Sequence, residues 1–255
     1  MSTKACIFID GENLRHAIID LFPNEFHKTD YLPKEAGWSS WFDNIVALLP
    51  GTYERLRSYW YVAGELDCFP HFFPRDKNEL KQFLSTDKEI GRILSQLHGE
   101  ELQKQMAETV SGLETRKQEM KSRFHGWQVF HNGISTQQDS IEFRASGYLR
   151  YDAFTHTIKA EKAVDINLAV DLVMLRDTYD IAVILSGDGD YIPAVQAVKD
   201  SGKKVVNISF LTRGGKRLPG GAARLNRSCD CSIDIKCEDL APFLKLKLAD
   251  RNMLI

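Results

Sequence analysis

Four aspartates carry the chemistry that this sequence can support. Asp10 closes the apolar run KACIFI at residues 4–9, Asp188 and Asp190 follow the aliphatic run IAVIL at 181–185 within SGDGD, and Asp165 opens an amphipathic stretch. Short apolar runs bounded by glycine and aspartate read as buried strands, each delivering a carboxylate at its C-terminal end. In an open parallel sheet that edge is where ligands bind, so side chains far apart in sequence can converge there. Converging carboxylates raise each other's pKa unless a cation neutralises them. An all-oxygen set suits a hard divalent ion, Mg²⁺ or Mn²⁺. Such an ion activates water, holds a scissile phosphate and stabilises the leaving oxygen, so phosphodiester hydrolysis is the expected reaction class.

Each aspartate also has a purely structural reading. Asp165 could be the N-cap of the helix it opens, and Asp10 could cap the helix that follows it. Asp188 and Asp190 could be turn residues in a glycine-containing strand-to-helix loop. Taken jointly at strand ends, Asp10, Asp165, Asp188 and Asp190 favour a metal site in which all four are ligands and catalytic carboxylates.

The elements that must hold these residues alternate between helix and strand. Helices are expected at 12–21, at 40–49 with Pro50-Gly51 as its stop, at 165–175 and at 191–200, and strands at 4–9, 56–62, 127–131, 181–185 and 205–208. This pattern predicts an α/β, three-layer, Rossmann-like fold with a mostly parallel sheet. One domain over 1–255 is expected, with a helical insertion at about 70–125, broken at His98-Gly99, and a β-hairpin insertion at about 141–158. The helical insertion reads either as a helix packed on the sheet with a solvated extension, or as an arm that forms a homodimer or covers the site.

Composition bounds the possibilities. Of 255 residues, 43% are hydrophobic and 27% charged, the mixture of a soluble folded chain. No apolar run reaches the roughly 20 residues needed to span a bilayer, and residues 1–9 lack a basic leader with a cleavage site, so no membrane partner and a cytoplasmic location are expected. The five cysteines are odd in number, Cys6 falls in a buried strand, and Cys229, Cys231 and Cys237 lack paired C-x-x-C spacing, which favours free thiols over disulfides or zinc. A net charge of −2 gives no global attraction to nucleic acid, so binding would need a local basic surface. The loop at 212–217, TRGGKR, offers Arg213, Lys216 and Arg217 beside Pro219-Gly220-Gly221, and could equally be a solvated loop. Arg144, Arg150, Lys159 and Lys162 could form a second basic wall. Tyr148, Tyr151 and Phe154 could stack on unpaired bases or fill the hairpin core. The seven histidines lack ligand spacing, and no P-loop is present.

Three ordered motifs resemble a known family. Ile9-Asp10-Gly11-Glu12-Asn13 resembles the FIDGxN opening of NYN domains, particularly the LabA-like branch of the PIN-like nuclease superfamily. Residues 162–171, KAVDINLAVD, are similar to its KGVDVxLAxD segment, and 185–193, LSGDGDYIP, to its LSGDGDFxP segment. The resemblance implies a PIN-like sheet and an Mg²⁺- or Mn²⁺-dependent ribonuclease. It implies Asp10, Asp165 and Asp188 as primary metal ligands, Asp190 as the fourth, Asn13 and Ser186 as orienting groups, and Asp171 as a secondary one. Ala163 stands where the family has Gly and Tyr191 where it has Phe, and the insertions have no counterpart, so substrate choice is not carried over. The expected function is an endoribonuclease acting on single-stranded or looped RNA, with DNA left open. The alternative is a non-catalytic RNA-binding or regulatory module. An aspartate-based phosphatase fits less well, because Glu12 stands where its second aspartate is required.

Overall fold

Strand β1 (Thr3–Asp10) is buried on both faces from residue 5 to residue 10, as a central parallel strand must be. It belongs to a computed structural model that describes residues 3–27 and 30–246. In chain order there follow α1 (Gly11–Leu21), α2 (Trp38–Ala47), β2 (Tyr53–Phe69), α3 (Lys77–Leu84), α4 (Lys88–Ser95), α5 (Gly99–Gln137), β3 (Ile141–Asp152) and β4 (Thr157–Lys162). The chain continues with α6 (Val164–Met174), β5 (Ile181–Leu185), a 3₁₀ turn at Gly189–Tyr191, α7 (Ile192–Asp200), β6 (Lys204–Leu211), β7 (Arg217–Leu218), α8 (Ala222–Ser228), β8 (Cys231–Lys236) and α9 (Cys237–Leu240).

These elements form two compact units. The first comprises the described parts of Met1–Val62, Val129–Ser146 and Ala163–Ile255. Its strands run in the order β3-β2-β1-β5-β6-β7, with β8 also paired to β6. The contacts of β1 with β2 and β5, and of β6 with β5 and β8, are parallel, while β7 turns back antiparallel on β6. This is the expected α/β fold, a mixed and mostly parallel sheet flanked by helices. The second unit, Ala63–Gln128 with Gly147–Lys162, holds α3, α4, the first three-quarters of α5 and the later parts of β2 and β3, with β4 antiparallel to β3. Asp76 and Asp87 each cap their helix by accepting two backbone N–H bonds.

In the first unit, side chains of β1 alternate between faces. Ile7 and Ile9 join a core with Leu14, Ile18 and Trp41, and the Trp60 ring there stacks on Phe143 at 4.9 Å and meets Trp38 at 5.1 Å. Phe8 points the other way, to Tyr59 and Tyr179. Asp10 shares the parity of Phe8, so its carboxylate emerges on the side of the sheet where α6 packs on β1.

One expected strand is a helix. Residues 127–131, WQVFH, are rich in strand formers, yet they lie within α5. Trp127, Phe130, His131 and Ile134 are buried while Val129 is half exposed, a spacing of three and four that only a helix produces. Met106, Leu113, Met120 and Phe124 are buried on the same stripe, and a helix already propagating through them overrides a weak local preference.

His131 also sets a pH response. Its ring bonds to the Tyr31 hydroxyl and stacks on Phe143, and burial lowers its pKa to about 4. A histidine lowered on folding contributes stability in full above its unfolded pKa of about 6.5 and loses it as pH falls toward 4. Denaturant titration of wild type should therefore show about 3 kcal/mol more loss between pH 7 and pH 4 than the His131→Gln variant shows. Parallel profiles would contradict this role.

Candidate active site

The site is built where β1 and β5 end side by side. Ile9 is paired with Leu185, so the next residues, Asp10 and Ser186, leave adjacent strands at the same edge. From β1 the chain goes on to form β2 on one side, and from β5 it goes on to form β6 on the other. Such a switch in direction opens a crevice at the carboxyl edge of the sheet.

Asp10 lies at the bottom, 1% exposed. Its Oδ1 accepts the Asn13 backbone N–H at 3.0 Å, which makes it the N-cap of α1 as well as a site residue. Its Oδ2 accepts Asn13 Nδ2 at 2.6 Å, Ser186 Oγ at 3.0 Å and the Tyr191 hydroxyl at 3.2 Å. Burial pushes its pKa up to about 6; the Asn13 N–H works against that rise, and the Asp165 charge adds to it. Gly11 is required here, because a Cβ on it would stand 2.5 Å from the Tyr61 carbonyl oxygen of β2.

Asp165 is not a helix cap. The cap position of α6 is taken by Ala163 in the left-handed region at φ 68°, without a side-chain cap bond, and Asp165 is the second helical residue. Its Oδ1 accepts the Tyr191 hydroxyl at 3.2 Å. Burial raises its pKa, and the nearby charges of Asp188 and Asp190 raise it further against the Tyr191 bond. Tyr191, 1% exposed, thus lies between two carboxylates, and burial first, then both charges, hold its phenol protonated.

Asp188 is half-buried and caps the 3₁₀ turn by accepting the Asp190 N–H at 2.9 Å, while its own N–H donates to Ser186 Oγ at 3.1 Å. Asp190 is exposed. Asn13 Oδ1 accepts the Gly187 N–H at 3.3 Å, linking α1 to the same turn. Asp171 faces a different set of groups, accepting the Tyr61 hydroxyl at 2.9 Å and an Arg144 N–H.

The basic candidates are dispersed. Arg213 and Lys216 are exposed in the loop between β6 and β7, whereas Arg217 donates twice to Asp234, at 2.8 and 2.6 Å. Arg144 is paired with Asp171 and Glu142, Arg150 with Asp67, and Lys159 with Asp152. Lys162 is the exposed last residue of β4, and Tyr151 is buried in the second unit.

Sequence reasoning missed three contributors. Asn207, buried in β6, donates to the Ser186 carbonyl at 3.0 Å and to Asn226 Oδ1 at 2.6 Å, which ties the turn after β5 to α8. Tyr191 was visible as a departure from the family pattern but not as a bridge. Arg224 of α8 lines a cavity of ≈ 430 Å³ with Asn13, Asp188 and Asp190, and its spacing from the glycines at 220 and 221 matches no motif.

In kind, these donors fit a hard divalent ion, being oxygen only, with two carboxyls raised by burial and mutual charge. In spacing they are not closed around one. Among the described residues no three His, Cys, Asp or Glu stand together in an ion-holding group, and the Tyr191 hydroxyl fills the gap between Asp10 and Asp165.

The phenol's single proton is shared between the two carboxylates. Tyr191→Phe should destabilise the metal-free protein by about 2 kcal/mol at pH 8, where both carboxylates are charged, the usual loss of a hydrogen bond to a charged group. The loss should shrink at pH 5, below the Asp10 pKa. Urea unfolding at the two pH values checks this, and an equal loss at both would contradict it.

A family model described as the NYN domain matches residues 75–236, a span that includes Asp165, Asp188 and Asp190 and omits Asp10. A crystal structure of a protein of unknown function from Vibrio parahaemolyticus is similar over 93% of this chain and 95% of that chain, at 13% identity and a TM-score of 0.43. No curated protein matches the chain. Among the described residues no helix is long and apolar enough to cross a membrane.

Proposed function

The chain belongs to the NYN domain family of the PIN-like nuclease superfamily, and from that premise we propose that it is an endoribonuclease that hydrolyses RNA phosphodiester bonds with Mg²⁺ or Mn²⁺. Nucleases of this superfamily are generally dependent on divalent metals. The observation that carries the reading is the gathering of carboxylates in one crevice, where Asp10 and Asp165 share the Tyr191 hydroxyl and Asp188 and Asp190 line the adjoining cavity.

Asp165, Asp188 and Asp190 would hold the ion, with Asp10 behind them. When bound, the ion supplies Lewis acidity to the phosphate and lowers the pKa of a water. Asp10 accepts four hydrogen bonds and is fixed in place, so its part is to orient Tyr191, Asn13 and Ser186 around the crevice. Asp165, half-buried in the crevice, would take the proton of the attacking water. Water adds to phosphorus, the P–O bond to the leaving ribose oxygen breaks, and that oxygen leaves with a proton from solvent. The exposed Arg213 and Lys216 attract the RNA backbone.

The test is incubation of purified protein with a single-stranded RNA, and a DNA of the same sequence, in Mn²⁺, Mg²⁺ or EDTA. Internal cleavage of RNA that requires the ion is expected. Intact RNA with either ion would overturn the proposal. A second reading, a non-catalytic RNA-binding module, draws on the unclosed spacing of the carboxylates. It requires that the Asp10→Asn, Asp188→Asn double variant match wild type in RNA binding and that neither cleave.

A further inference from the structure

A strand of nucleic acid lying over Asp188 and Asp190 brings its own negative charge to an acidic turn, and a fixed positive charge beside that turn would offset it. The backbone supplies a rigid mount for one. Gly221 adopts φ 93°, and a Cβ on it would stand 2.8 Å from the Gly187 carbonyl oxygen, while a Cβ on Gly187 would stand 2.7 Å from Pro219 Cγ. The turn that leads into α8 is therefore in direct contact with the turn that carries Asp188 and Asp190, and the absence of side chains on both glycines permits it.

Arg224 is held by that mount. Its side chain lies against Gly189, where a Cβ would be 3.4 Å from Cδ and 3.7 Å from Nε and Nη1. It is exposed, and it shares the wall of the ≈ 430 Å³ cavity with Asn13, Asp188 and Asp190. Among the described residues its guanidinium makes no ion pair or hydrogen bond, although carboxylates flank the glycine it lies on. Arg217, by contrast, is committed to Asp234. A guanidinium has five donors in a planar fork suited to two phosphate oxygens, and this one loses no existing partner when it binds.

We propose that Arg224 is a phosphate-binding residue of this crevice, gripping the non-bridging oxygens of a phosphodiester in a single strand that crosses Asp188 and Asp190. The inference rests on the nuclease reading above and assigns that site its anion contact.

The experiment is binding of a fluorescein-labelled single-stranded RNA in EDTA, where cleavage is off, over a series of salt concentrations. Wild type, Arg224→Ala and Arg224→Lys are compared, followed by cleavage kinetics in Mn²⁺. In Arg224→Ala the slope of log affinity against log salt should fall by about 0.7, the share of one phosphate contact on a single strand. Arg224→Lys should keep the wild-type slope, which a merely structural role would not produce. An unchanged slope in Arg224→Ala, or no RNA binding by wild type, would overturn the inference. If the slope falls but wild type cleaves nothing in Mn²⁺, the nuclease reading fails and the phosphate contact stands. If wild type cleaves and Arg224→Ala keeps both slope and KM, the reverse holds.

Discussion

Asp188→Asn is expected to reduce Mn²⁺-dependent RNA cleavage by about 10³-fold while leaving the fold intact, since charge neutralisation by a catalytic ion takes several kcal/mol off the barrier. The turn does not need the charge. Asp188 Oδ1 accepts the Asp190 N–H at 2.9 Å, a bond that an asparagine carbonyl reproduces. What is lost is a negative charge at the mouth of the crevice, next to Asp165, whose raised pKa Asp188 helps to cause. Single-turnover cleavage, with thermal melting as the control for folding, checks this. Cleavage within a few-fold of wild type would remove Asp188 from the metal set.

Gly11→Ala should be the most damaging small substitution, lowering stability by about 1–3 kcal/mol and cleavage by about 10²-fold. The added methyl would meet the Tyr61 carbonyl oxygen at 2.5 Å, Val62 Cγ1 at 3.0 Å and Trp60 Nε1 at 3.1 Å. The first of these is backbone of β2 and cannot swing aside, so the turn from β1 into α1 must move. That turn carries Asp10 and Asn13, which between them hold five of the hydrogen bonds that assemble the site. Urea unfolding and cleavage rates measure the two effects. Wild-type values for both would mean that the turn adapts and that the site tolerates its displacement.

Much of this architecture was legible because it rests on burial. The runs at 5–9 and 181–185 are apolar at every position, as a strand covered on both faces requires, and each stops just before the residue that enters the crevice. Ser186 and Asn13 were drawn in by the family resemblance, and both are hydrogen-bonded to Asp10. The one misread strand has a physical cause. The segment 127–131 contains Trp, Val and Phe, which favour strands, but its neighbours commit it to α5. The alternative reading of Asp165 as a cap fails because the true cap residue, Ala163, has no capping side chain and holds its place by a left-handed backbone. The bridge made by Tyr191 and the reach of Arg224 depend on how two turns and a helix end meet in space, and no period or spacing within one segment carries that information.

The most direct test of the proposed metal site is anomalous scattering from crystals soaked in Mn²⁺. An anomalous peak bound by Asp165, Asp188 and Asp190, with those side chains drawn inward from their metal-free positions, is the expected result. Crystals whose crevice stays without an anomalous peak at millimolar Mn²⁺, or whose only peak is at a distant surface carboxylate, would contradict it.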